Sequence, residues 1–178
     1  SSSSAASDVY KRQEDYHKRI NSKKLKIDEN SILIIRGCGP VGYPGSAEVV
    51  NMQPPDRLLK KGINALPTLG DGRQSGTSES PSILHVSPES AVGGDLAIVK
   101  TGDKMTIDLN KRRVDLQITK LEFTKRRKKK KIKKLTNQTP WQEISRSNVG
   151  QLEDGACIIS RDQYLDITKT KGILRNSH

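Results

Sequence analysis

Apolar residues fall into short runs separated by glycine- and proline-rich breaks, and most of them lie between Ser31 and Ile118. SILIIR (31–36) is unbroken and ends at a glycine, the mark of a short buried strand. The loop GCGPVGYPG (37–45) follows, then a predicted helical turn over Ala47–Met52. PPDRLLKKG (54–62) predicts a short helix that opens on proline and closes on Gly62. Ile63–Leu69 predicts a second strand running into the loop GDGRQSGTS (70–78), and SPESAVGG (87–94) predicts a turn or a single helical turn. DLAIVK (95–100), MTIDL (105–109) and VDLQI (114–118), joined by TGDK and NKRR, predict a β-meander. TKLEFTKRR (119–127) predicts a helix running into a basic segment. TPWQEISRSNVGQLEDGACII (139–159) predicts a helix with a glycine-interrupted end that packs Trp141 back on the domain. The chain has no internal repeat.

The first 13 residues, SSSSAASDVYKRQ, are serine-rich and without hydrophobic period, so disorder is expected there. They also resemble translated adapter sequence of the kind found at the ends of assembled reading frames. On that reading the native chain enters after Gln13 and is the back end of something longer. The expected organisation is a disordered or non-native lead-in over 1–29, a compact domain over 30–122, a basic linker over 123–138 and a helical tail over 139–178.

A length of 178 residues suits one domain with tails, and 32% hydrophobic with 3% aromatic residues requires the core to be concentrated in the middle. No apolar run approaches the ~20 residues that span a bilayer, so no membrane partner is expected. Cys38 and Cys157 lie far apart without CxxC spacing, which fits a reducing, cytoplasmic setting and makes no metal site. Net charge is +12, but Lys125–Lys134 (KRRKKKKIKK) holds nine of the positive charges, and without them the balance is +3. Such a run reads as a solvated linker. It would attract polyanions at low salt, yet no aromatic residue is interleaved to stack on bases, which argues against nucleic acid as a partner.

Chemistry points to the glycine loops, because glycine lets backbone approach a ligand closely. Glu48 follows the first loop. It reads equally as an acid complementing a helix N-terminus or as a ligand for a hard cation such as Mg²⁺. Ser75, between Gln74 and Gly76, reads equally as a turn serine bonding its own backbone or as a reactive hydroxyl. Arg73 replaces the first glycine of a GxSxG elbow, and GCGPVG lacks the lysine and spacing of a phosphate-binding loop. His85, inside SILHV, reads as a core histidine. These residues describe a loop-lined site on a β-rich domain without naming its reaction.

GCGPVGYPGSAEVVNM, followed by LPTLGDGRQSGTSESPSILHVSPESAVGGDLAIVKTGD, strongly resembles the C-terminal domain of the dihydroxy-acid/phosphogluconate dehydratase family. GYPGSAEV, GDGRQSGTS, the tail TPWQEISRSNVGQLEDGACI and the closing GILRNSH are similar to its sugar-acid branch, the arabinonate and xylonate dehydratases. The resemblance covers about residues 30–178, with the lysine run as the main departure. It implies a β-rich α+β fold, a swivelling β/β/α barrel-like domain with flanking helices. It implies dehydration of a sugar acid to a 2-keto-3-deoxy acid. By the same resemblance Ser75 is the base and also contacts substrate with Thr77, Glu48 is the Mg²⁺ ligand, and Asp71 and Arg73 hold the loop. The implied cofactors are Mg²⁺ and an Fe–S cluster of the 2Fe–2S type. The cluster's ligands lie in an N-terminal domain absent from this chain, since Cys38 and Cys157 are not their counterparts. The implied partners are the sugar-acid substrate, that N-terminal domain and, in the full-length protein, further copies of itself. The chain alone is then expected to fold and to be inactive.

Two other classes stand beside this one. A free-standing binding domain would use the 125–134 run on nucleic acid or an anionic surface. Hydrolase chemistry at Ser75 would need a histidine partner that the sequence does not offer.

Overall fold

The computed structural model describes residues 2–49, 51–76, 78–132, 139–158 and five positions between 162 and 169, with backbone alone for Ser2–Ser4. Strands β1 (Ser2–Lys11), β2 (Ser31–Arg36), β3 (Thr68–Gly70), β4 (Ser82–Ile83), β5 (Lys104–Asp108) and β6 (Arg113–Leu116) form one sheet in the order β4-β3-β2-β1-β5-β6. β1 to β4 run parallel, β5 is antiparallel to β1, and β6 is antiparallel to β5. The sheet is mixed and curled into a half-barrel, and helices α1 (Arg12–Arg19), α2 (Asp56–Leu59), α3 (Lys120–Lys129) and α4 (Pro140–Asn148) complete an α+β domain.

β2 explains its own unbroken apolar sequence, since it is covered on both faces. Leu33 and Ile35 pack with Tyr10, Tyr16, Met52, Leu58 and Leu66, while Ile32 and Ile34 pack with Val9, Leu69, Leu96, Val99 and Met105. The short helix after the proline pair and the β5–β6 hairpin lie where the pattern predicts them.

Several expectations are corrected. The serine-rich start is not disordered: Ser2–Lys11 is an interior strand between β2 and β5. Its first half (Ser2–Ala6) pairs with β5 and its second half (Ala6–Lys11) with β2, and its polar side chains find acceptors and donors of their own. Ser7 Oγ donates to Lys100 O at 3.0 Å, and buried Asp8 accepts from Tyr10 Oη and from Thr101 Oγ1. Residues 95–98 form a 3-10 turn where a strand was expected. Leu96, Ala97, Ile98 and Val99 are all buried, without alternation, and Arg36 Nη1 gathers the carbonyls of Leu96 (2.7 Å), Ala97 (3.1 Å) and Val99 (2.8 Å). The predicted strand over Ile63–Leu69 shrinks to Thr68–Gly70. The described part of 47–52 holds no helical turn, and Val49 is bridged to Gln74 instead.

The basic segment is not wholly linker either, because α3 runs through Lys129, capped by the Thr119 side chain. Arg126 is the residue that docks it. Its guanidinium donates to Asp103 (Nη2 to Oδ1 3.0 Å), Glu122 (Nε to Oε1 2.7 Å) and Ile98 O (3.3 Å). Trp141 is 64% exposed rather than packed on the domain. Arg146 and Gln151 hold the tail instead, through polar contacts.

Arg126→Ala should therefore lower stability by about 2 kcal/mol, since it removes charge-assisted bonds that are largely shielded from water. Arg127→Ala, which loses an exposed pair with Asp95, should change it by less than about 0.5 kcal/mol. Urea titration of the two variants checks the contrast.

Candidate active site

The site begins with the direction of the strands. β1, β2 and β3 are parallel, and register pairs Lys11 with Arg36 and Ile35 with Gly70, so their carboxyl ends share one edge. Loops 37–45 and 71–78 leave that edge side by side, the place where open parallel sheets receive ligands.

Asp71 ties these loops together. Its side chain is fully buried and accepts from Gly37 N (Oδ2, 3.1 Å), Cys38 N (Oδ1, 3.0 Å), Ser90 N (Oδ2, 2.9 Å) and Ser90 Oγ (2.6 Å). Next to it, a Cβ on Gly72 would fall 2.6 Å from Cys38 Cβ and 2.8 Å from Cys38 O, so the two backbones lie too close for a side chain there. Arg73 adds a third link, donating from Nε to Ser46 O at 2.6 Å while its carbonyl accepts Val49 N at 2.8 Å. Asp71 and Arg73 thus each link the loop after β3 to the loop after β2.

Glu48 and Ser75 flank a single bridge. Val49 and Gln74 are paired and buried, and beside them Glu48 is exposed and Ser75 half-buried. Gln74 anchors Ser75 from below, its Oε1 accepting from Ser82 Oγ (2.8 Å) and Ser78 Oγ (3.3 Å). Among the described residues no cation pairs with the Glu48 carboxylate. Thr77 lies outside the described residues. His85 is exposed at the surface, with φ +59°, and is not a core histidine.

No cluster of three or more His, Cys, Asp or Glu side chains gathers among the described residues. A single carboxylate fits Mg²⁺, which takes one or two carboxylates and completes its shell with water and substrate oxygens. The cysteines do not fit an Fe–S cluster, which is held by several thiolates. Cys38 is buried and its thiol is pushed up to about 12, chiefly by burial and then by the Asp71 carboxylate, while Cys157 is exposed on the tail.

The chain matches the model of the dihydroxy-acid/6-phosphogluconate dehydratase C-terminal domain over residues 1–156. It belongs to that family. The D-xylonate dehydratase of Caulobacter vibrioides is 54% identical over 159 residues, which is 89% of this chain and 27% of that protein. The L-arabinonate dehydratase of Rhizobium leguminosarum bv. trifolii is 48% identical over 118 residues, 66% of this chain and 20% of the relative. A dihydroxy-acid dehydratase of Archaeoglobus fulgidus is 39% identical over 108 residues, or 61% of this chain and 19% of the relative. The sugar-acid relatives thus agree with the branch indicated by the loop motifs. The chain spans about a quarter of the curated dehydratases it matches.

Reading the sequence missed Glu89, Ser90 and Gln151, which are polar residues in short turns with no periodic signal. All three bear on the loop over 37–45. Among the described residues no helix is long and apolar enough to cross a membrane.

Asp71→Asn presents an amide N–H to backbone donors and should destabilise the domain by about 3 kcal/mol, against about 1 kcal/mol for Ser90→Ala, as thermal denaturation would show. The Cys38 thiol should resist a disulfide reagent at pH 8 in the folded chain and react only in denaturant, leaving Cys157 as the fast thiol. A thiol raised from 9.0 to about 12 on folding contributes stability at lower pH that is lost as pH climbs between those values. Cys38→Ala should flatten that alkaline decline.

Proposed function

We propose that this domain carries the proton-abstracting hydroxyl and a Mg²⁺-binding carboxylate of a sugar-acid dehydratase. The observation that supports this most is the Val49–Gln74 bridge, with Glu48 and Ser75 on its flanks at the open edge of the sheet. The Ser75 oxygen, as alkoxide, takes the C2 proton of the sugar acid. The C3 hydroxyl departs with a proton as water, and the enol left between C2 and C3 becomes the 2-keto-3-deoxy acid. Glu48 holds the metal. When bound, Mg²⁺ neutralises charge on the substrate's carboxylate and 2-hydroxyl and eases loss of a proton from a neighbouring hydroxyl. Asp71 and Arg73 keep the Ser75 loop against the Glu48 segment, and Thr77 contacts the substrate. A base held in place in this way contributes about 10²–10⁴ in rate.

The 2Fe–2S cluster finds no ligands in Cys38 or Cys157, so its thiolates belong to a domain outside this chain. That domain, the sugar acid and further copies of the full-length protein are the proposed partners, in the cytoplasm. The half-barrel is read as the swivelling β/β/α domain of the family.

In the full-length protein Ser75→Ala should lower kcat on D-xylonate or L-arabinonate at least about 10²-fold with KM little altered. Glu48→Gln should raise the Mg²⁺ concentration needed for turnover. The 178-residue chain alone should be folded and inactive even with iron, sulfide and Mg²⁺. Steady-state assays of the variants, and of the chain alone, check all three.

A further inference from the structure

A second buried carboxylate grips the loop that leads to Glu48. Glu89 is fully buried, and it accepts from Val41 N on Oε1 (2.8 Å) and from Gly42 N on Oε2 (2.8 Å). Among the described residues no cation pairs with it. The loop lies flat on this carboxylate, since a Cβ on Gly39 would fall 2.4 Å from Glu89 Oε2. Asp71 meanwhile takes Gly37 N and Cys38 N, so two carboxylates together accept from four backbone N–H groups of the loop.

The third donor to Glu89 comes from the tail. Gln151 Nε2 donates to Glu89 Oε1 at 3.0 Å, and Gln151 Oε1 accepts Glu89 N at 2.8 Å. One carboxamide therefore fixes both the backbone and the side chain of Glu89. Arg146, on α4, reaches the same loop and donates from Nε to Val41 O at 3.1 Å. Tail and loop are thus joined at two points, one through Glu89 and one directly. A carboxylate packed against an amide N–H aligns that N–H only while the carboxylate itself cannot turn, and Gln151 supplies that restraint.

We infer that Glu89 is a positioning residue for Glu48 and that the tail over 140–156 latches it through Gln151. This rests on the proposed role of Glu48 and adds to it a second carboxylate and a segment remote in sequence. Glu89 touches neither substrate nor metal in this account and acts only through the loop backbone.

The test is amide exchange by NMR on this chain, followed by kinetics on the full-length protein. Gln151→Leu should speed exchange at Val41 and Gly42 about tenfold, the effect of losing one hydrogen bond's restraint, while Gly37 and Cys38 on Asp71 keep their protection. Arg146→Ala, which cuts the other link, should act in the same direction. In the full-length protein Gln151→Leu should lower kcat several-fold at nearly constant KM. Unchanged exchange at Val41 and Gly42 overturns the latch, as does loss of protection throughout the domain in both variants. Faster exchange with full kcat overturns the positioning role. Glu48→Gln run in parallel separates the two ideas, because full activity in that variant would sink the role of Glu48 and leave the exchange result standing.

Discussion

The arrangement depends on one carboxylate surrounded by donors. Asp71 lies without solvent at the carboxyl end of β3 and accepts two backbone N–H groups from the loop after β2 and two donors from Ser90. Burying a carboxylate is costly unless hydrogen bonds replace its hydration, and here they do so from two separate chain segments. Those bonds decide how the loops of β2 and β3 lie relative to each other. The Glu48 and Ser75 positions follow from that, through the Arg73 contacts and the Val49–Gln74 bridge.

Much of this was legible along the chain, and what was not has physical causes. SILIIR and the hairpin of β5 and β6 carry strong local signals, an unbroken apolar run and two alternating runs across a short turn. The start of the chain carries none. Its strand owes its existence to neighbours on both sides, and a serine-rich stretch shows nothing of that in advance. DLAIVK has strand composition, but Arg36 draws its carbonyls to one point, a tertiary effect no local pattern contains. Val49 likewise answers to a partner 25 residues away, Gln74, rather than to the helix-forming residues around it.

The site was read unevenly for related reasons. Glycine loops and a serine between them announce a place where backbone meets a ligand, and the family motifs attach roles to Glu48, Ser75, Asp71 and Arg73. Glu89 and Gln151 gave no such sign, since an acid in a turn and an amide in a tail look like surface residues until their partners are known. The lysine run misled in the opposite sense. Its basic composition suggested a free linker, yet Arg126 within it anchors a helix on the domain.

The central claim is that Glu48 and Ser75 serve one substrate. It is tested most directly by diffraction from the full-length protein crystallised with a sugar acid and Mn²⁺ in place of Mg²⁺, using the anomalous signal of manganese to locate the metal. The account predicts manganese on the Glu48 carboxylate and the Ser75 oxygen about 3–3.5 Å from C2 of the bound acid. Manganese bound away from Glu48, or a Ser75 hydroxyl turned from the substrate, would contradict it.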